Sequence, residues 1–184
     1  MNKRTICLVL TLVCALTMLA QHYNIVKNIA YTMKTDTYSA QRLKLDIYYQ
    51  EQATDLPVVV WFHGGGLTSG EKDFPYKLKE KNCVLVAVNY RLLPNVTIDQ
   101  TIDDAAEAVA WVMNHITEYG GSTKKMIVSG HSAGGYLTMM LALDKQWLDR
   151  YGKDANQIAA YVPFSGQAIS HFSYRKMKGI GELK

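Results

Sequence analysis

The sequence predicts an α/β domain with a doubly wound, mostly parallel sheet. Two observations carry this. Val58–Phe62, Val84–Val88 and Met126–Ser129 are short, unbroken apolar runs, the pattern of strands covered on both faces. Helical segments fall between them, and strands alternating with helices build a parallel sheet.

The elements follow in order. Residues 1–20 read as a signal peptide. Lys3 and Arg4 form a positive start, Ile6–Leu19 is uncharged and mostly apolar, and Ala20 ends it with a small residue. The run is short of the roughly 20 residues of a membrane span, so no stable span is expected. Export follows, to the periplasm or the medium, with an N-terminal membrane anchor as the alternative. Residues 21–184 then form one domain. Leu43, Leu45, Ile47 and Tyr49 alternate with Lys44, Asp46 and Tyr48, which predicts a half-exposed strand near a sheet edge. Tyr23–Met33 is expected to pair with it. Asp73–Asn82 is read as a helix.

The clearest helix runs from about Ile98 to Tyr119. Its residues Ile102, Ala105, Ala106, Val109, Val112, Met113 and Ile116 share one face. Thr97 with Gln100 forms a capping box at its start, and Gly120-Gly121 ends it. A third helix is expected over Ala133–Asp144, and a further strand over Ile158–Phe164.

Two motifs sit just past strand ends, where open α/β sheets place their chemistry. Gly130-His131-Ser132-Ala133-Gly134 reads as a serine raised on a strand-to-helix turn, the geometry of an acyl-transfer nucleophile. His63-Gly64-Gly65-Gly66 supplies bare backbone whose amides can face a substrate. A serine attacking a carbonyl creates an oxyanion, which needs donors already in place. Gly65, Gly66 and Ala133 amides are the candidates, and Ser132 is the candidate nucleophile. The plain readings are a flexible glycine loop and a helix N-cap serine.

These residues, with Asn89-Tyr90-Arg91-Leu92, Asp104, Ala108 and Trp111, resemble the hormone-sensitive-lipase-like and carboxylesterase branch of the α/β-hydrolases. Bacterial acetyl-esterase-like members are the nearest in pattern. The resemblance runs from about Leu43 to about Gly166. It implies the α/β-hydrolase fold, hydrolysis of small carboxylic esters, Ser132 as nucleophile, and Gly65, Gly66 and Ala133 as oxyanion hole. It also implies a structural His63 that hydrogen-bonds the glycine loop. Acetylated carbohydrate is one substrate it suggests.

In this fold the base and acid follow the nucleophile as Asp or Glu, then His. After Ser132 come Asp144, Asp149 and Asp154, then His171. The first two fall at a helix end, Asp154 in a polar connection, and His171 too soon after the last strand. The acid and the base are therefore expected beyond residue 184. The chain reads as the N-terminal two-thirds of a hydrolase domain, with its C-terminal strands and helices missing. Two rival readings remain open. One is an amidase- or peptidase-type hydrolase of the same fold; the other is a non-catalytic, truncated hydrolase-fold protein.

Composition narrows the rest. A net charge of +4 without a basic, aromatic-studded stripe argues against nucleic acid. No group of His, Cys, Asp and Glu has metal-ligand spacing, and no cofactor is expected. Of three cysteines, Cys7 and Cys14 leave with the signal peptide, and Cys83 is expected to be a buried thiol. Arg91 is expected to pair with Asp104 or Asp103 and brace the sheet.

Overall fold

A computed structural model of the chain describes residues 22–167. Six strands form one mixed sheet in the order β1-β2-β4-β3-β5-β6. They are β1 (Tyr23–Ala30), β2 (Lys44–Gln50), β3 (Leu56–Phe62), β4 (Val84–Val88), β5 (Gly121–His131) and β6 (Ala160–Phe164). β1 and β2 run antiparallel, whereas β4, β3, β5 and β6 are mutually parallel. The helices are α1 (Thr37–Arg42), α2 (Ile98–His115), α3 (Ala133–Leu143) and α4 (Gln146–Asp149).

The alternation of strand side chains divides the core in two. Val58, Val60 and Phe62 of β3, Val84, Val86 and Val88 of β4, and Met126 and Val128 of β5 pack with Ile102, Ala106, Val109, Leu137 and Leu141 of α2 and α3. On the other face Val59 and Leu85 meet Tyr48, Phe74 and Leu78. The capping box opens α2 as its sequence demands: Gln100 N–H donates to Thr97 Oγ1, and Thr97 N–H to the Gln100 side chain. Its last turn tightens into a 3-10 turn, Ile116–Tyr119, closed by Gly120 in the left-handed region.

Two expectations are corrected. The segment 73–82 is not an α-helix: it holds one 3-10 turn, Tyr76–Leu78, behind Pro75. Pro75 lacks an N–H and pushes the residue before it out of helical backbone, so a helix cannot run through the segment's start. β2 is not half-exposed. It lies between β1 and β4, and Leu45 to Tyr48 are all buried. Its alternate polar residues are absorbed: Asp46 pairs with Lys72 Nζ at 3.1 Å, and Tyr48 stacks on Tyr23. The short helices α1 and α4 are additions. Asp36 caps α1 by accepting from Ser39 N–H at 2.9 Å, a signal present in the sequence. The expected signal peptide and His171 lie outside the described residues.

Candidate active site

β3 and β5 are neighbours, so the loops leaving their C-terminal ends emerge side by side. Ser132 sits between β5 and α3 with φ 54° and ψ −112°, a backbone region that L-residues avoid. Its side chain makes no capping bond to α3, which separates it from an ordinary N-cap serine. Two backbone bonds hold the turn: Ser132 N–H donates to the Phe164 carbonyl at 2.8 Å, and Tyr136 N–H to the Ser132 carbonyl at 2.9 Å. The turn is also sterically locked. A Cβ on Gly130 would lie 2.6 Å from the Phe62 and Gly134 carbonyl oxygens, and one on Gly134 would lie 2.0 Å from the Phe62 oxygen.

The glycine loop starts against this turn. A Cβ on Gly64 would fall 3.5 Å from Ser132 Cβ and 3.2 Å from the His131 carbonyl oxygen. His63 is buried, stacks on Tyr90 with ring centroids 4.3 Å apart, and lies 2.7 Å through Nδ1 from the Gly64 carbonyl. A carbonyl can only accept, so Nδ1 carries the proton. Burial holds the His63 pKa below its ordinary 6.5, and Nε2 is buried without a partner. Tyr90 OH donates to the His63 carbonyl at 2.8 Å.

Peptide geometry then orients the amides. The Gly65 carbonyl accepts from Thr68 N–H and Ser69 N–H, each at 3.1 Å, and from both their hydroxyls. In a trans peptide the following N–H points the opposite way. The Gly66 amide therefore faces out of the loop. The Gly64 carbonyl is turned toward the His63 ring, which turns the Gly65 amide away from it. Ala133 N–H opens α3, where no intrahelical acceptor exists. Gly65 adopts φ 113°, a value that excludes a side chain at this point of the loop.

Beside the loop lies a cleft of about 360 Å³, lined among others by Trp61, His63, Gly64, Phe74, Tyr76 and His131. His131 is exposed at its rim. Among the described residues no histidine hydrogen-bonds Ser132. Asp144 bonds Gln146 N–H and Asp154 bonds Asn156 N–H, both local turns. Asp149 is exposed at the end of α4. Arg91 grips Asp104 with Nε at 2.8 Å and Nη2 at 2.6 Å, so it braces the sheet. Cys83 is buried, and burial raises its thiol pKa. Among the described residues no cluster of three His, Cys, Asp or Glu could hold a metal. None of the described helices is long and apolar enough to cross a membrane.

Residues 45–173 match the BD-FAE family model. The chain belongs to the BD-FAE family. Its fold is the α/β-hydrolase fold. Among relatives, the probable carboxylic ester hydrolase LipM of Mycobacterium tuberculosis is 36% identical over 118 residues, which is 60% of this chain and 27% of LipM. The hyperthermophilic esterase of Pyrobaculum calidifontis superposes with a TM-score of 0.56 at 25% identity, over 79% of this chain and 46% of that one. Inhibited esterase B from Lactobacillus rhamnosis gives a TM-score of 0.60 at 19% identity, over 89% and 54%, a likeness of fold. The chain thus spans about a third of the curated relatives it matches, and about half of the structural ones.

Proposed function

We propose that this BD-FAE member hydrolyses small carboxylic esters through an acyl-enzyme on Ser132. Ser132 Oγ attacks the ester carbonyl carbon while its proton passes to a base. The carbonyl oxygen becomes an oxyanion held by the amides of Gly65, Gly66 and Ala133. Collapse breaks the C–O bond of the leaving alcohol, which takes the proton back. Water then attacks the acyl-enzyme by the reverse proton route and releases the acid. The base and its carboxylate partner come from outside the described residues.

One observation carries this reading. The turn at residue 132 is strained, locked and free of a capping duty, and the glycine loop packs on it through Gly64. Backbone strain of this kind persists where surrounding structure enforces it, and it costs about 1–3 kcal/mol. The esterase relatives support the ester as the bond attacked, and residues 1–20 support export.

A fluorophosphonate probe tests the nucleophile. It should label the protein at Ser132, and Ser132→Ala should abolish both labelling and hydrolysis of p-nitrophenyl acetate. Labelling that survives in Ser132→Ala removes this serine from the mechanism. Higher activity on long-chain than on acetyl or butyryl esters would count against a small-ester substrate.

A further inference from the structure

The glycine loop is held at its middle by buried Leu67, whose carbonyl accepts from Leu93 N–H at 2.8 Å, and its far end packs on the His63 ring, where a Cβ on Gly70 would lie 2.4 Å from Nδ1. Gly64 is fixed by His63 and by the Ser132 turn, but the chain leaves through Gly70 and Glu71 toward the surface. Arg42, the last residue of α1, reaches this point. Its Nη2 donates to the Gly70 carbonyl at 3.1 Å, and its Nη1 pairs with the Glu71 carboxylate. Its Nε donates to the Tyr90 carbonyl at 3.2 Å, and Nη2 also meets Asn89 Oδ1 at 3.4 Å. Asn89 in turn donates to Glu71 at 2.6 Å and accepts from Lys72 N–H at 2.6 Å. Tyr90 is the residue whose ring and hydroxyl support His63. One guanidinium therefore ties the exit of the glycine loop to the same β4 terminus that braces its entry. The Arg42 side chain is mostly buried, at 11% exposed, although the Glu71 side chain is 71% exposed.

We propose that Arg42 is a positioning residue that fixes the 64–70 loop, and with it the outward Gly65 and Gly66 amides. The part of this that concerns catalysis rests on the esterase reading above. Arg42 lies ahead of residues 45–173, the region matched to the family. The planar fork explains why arginine stands here. Two carbonyls and a carboxylate must be held at once in fixed directions, which a single ammonium cannot do.

The test uses the full-length protein, Arg42→Ala, Arg42→Lys, and Lys125→Ala as control. Lys125 pairs with Asp55 at the opposite end of the sheet. Hydrogen–deuterium exchange is read on peptides covering 63–73, 84–92 and 126–140. Arg42→Ala should speed exchange of the 63–73 peptide by about tenfold or more while 126–140 keeps its protection. On p-nitrophenyl acetate its kcat, per active site titrated with the fluorophosphonate, should fall about tenfold to a hundredfold with KM within about threefold. Arg42→Lys should fall between, and added guanidinium should restore part of the Arg42→Ala rate. Lys125→Ala should change neither readout. Unchanged exchange in 63–73 overturns the proposal, as does a full kcat in a folded Arg42→Ala. If the parent protein neither labels nor turns over ester, the serine-hydrolase reading falls, and exchange alone then decides whether Arg42 holds the loop.

Discussion

Gly134 stands where a methyl group has no room. Its absent Cβ would sit 2.0 Å from the Phe62 carbonyl oxygen, and that atom belongs to the backbone of a central strand. Backbone paired on both sides cannot move aside, so Gly134→Ala should cost about 3 kcal/mol or more. Gly152 makes the contrast. It has φ 66° but nothing within 4 Å of a Cβ, so Gly152→Ala should cost about 1 kcal/mol from strain alone. Urea midpoints of the two variants check this, and equal losses would contradict the close approach of α3 to β3. His63 gives a pH prediction. Its folded pKa is depressed by burial, so the unfolded chain takes up the proton first, near pH 6.5. The stabilisation is complete above that value and is lost as pH falls below it toward the folded pKa. The urea midpoint should therefore drop between pH 7.5 and 5.5, and drop less steeply in His63→Phe. A variant slope as steep as the parent's would mean that His63 is not buried in its neutral form.

Elements are held by ionic ties as well as by packing. Asp104 on α2 is fully buried and receives Arg91 in two parallel bonds, a third from Arg91 N–H at 3.2 Å, and Lys34 Nζ at 3.3 Å. The carboxylate pushes the Arg91 pKa still higher, so the guanidinium stays charged. Asp104→Ala leaves that charge buried with Ser39 Oγ at 3.3 Å, and should cost about 3–5 kcal/mol. The double variant Asp104→Leu with Arg91→Met should recover much of this; if it loses as much as the sum of the singles, the pair is not coupled. The sequence made this tie readable because a buried arginine must find an acid. It also displayed α2, whose capping box and apolar face agree. It misled where local pattern and tertiary cover diverge. Alternation in β2 suggested solvent on one side, yet Lys72 and Phe74 from the 71–78 segment cover Asp46 and Tyr48. That same segment is charged and Lys-rich like a surface helix, but Pro75 and the fit of Phe74 and Leu78 against Val59 decide its shape. The site divides in the same way. Ser132 and the glycines were visible as motifs, because special backbone geometry restricts residue type. Arg42 was not visible, because its partners are mainly carbonyls and one carboxylate spread over residues 70–90, and no spacing announces such a cluster.

At the scale of the molecule, the crossover order sets both the site and the stability gradient. β3 and β5 are adjacent although β4 and α2 intervene in sequence, so the two motif loops meet at one rim. The parallel strands β4, β3 and β5 supply the deepest layer, with Val86, Val60 and Val128 all at 0% exposed. β1 is an outer strand, paired on one side, broken in register between Val26 and Ile29, and carrying an exposed Ile25. Little apolar area holds it, so it should open without the rest of the sheet. Native-state hydrogen exchange should find Val60, Val86 and Val128 amides protected near the global unfolding free energy. β1 amides that bond β2 should exchange at least about thirtyfold faster, a gap of about 2 kcal/mol. Ile25→Ala should then shift stability by no more than about 0.5 kcal/mol. Val86→Ala should cost about 2 kcal/mol and lower protection across all three central strands together. Equal protection in β1 and β4 would mean that the sheet opens as a single unit. The outer strand β1 would then belong to the cooperative core that carries the two loops.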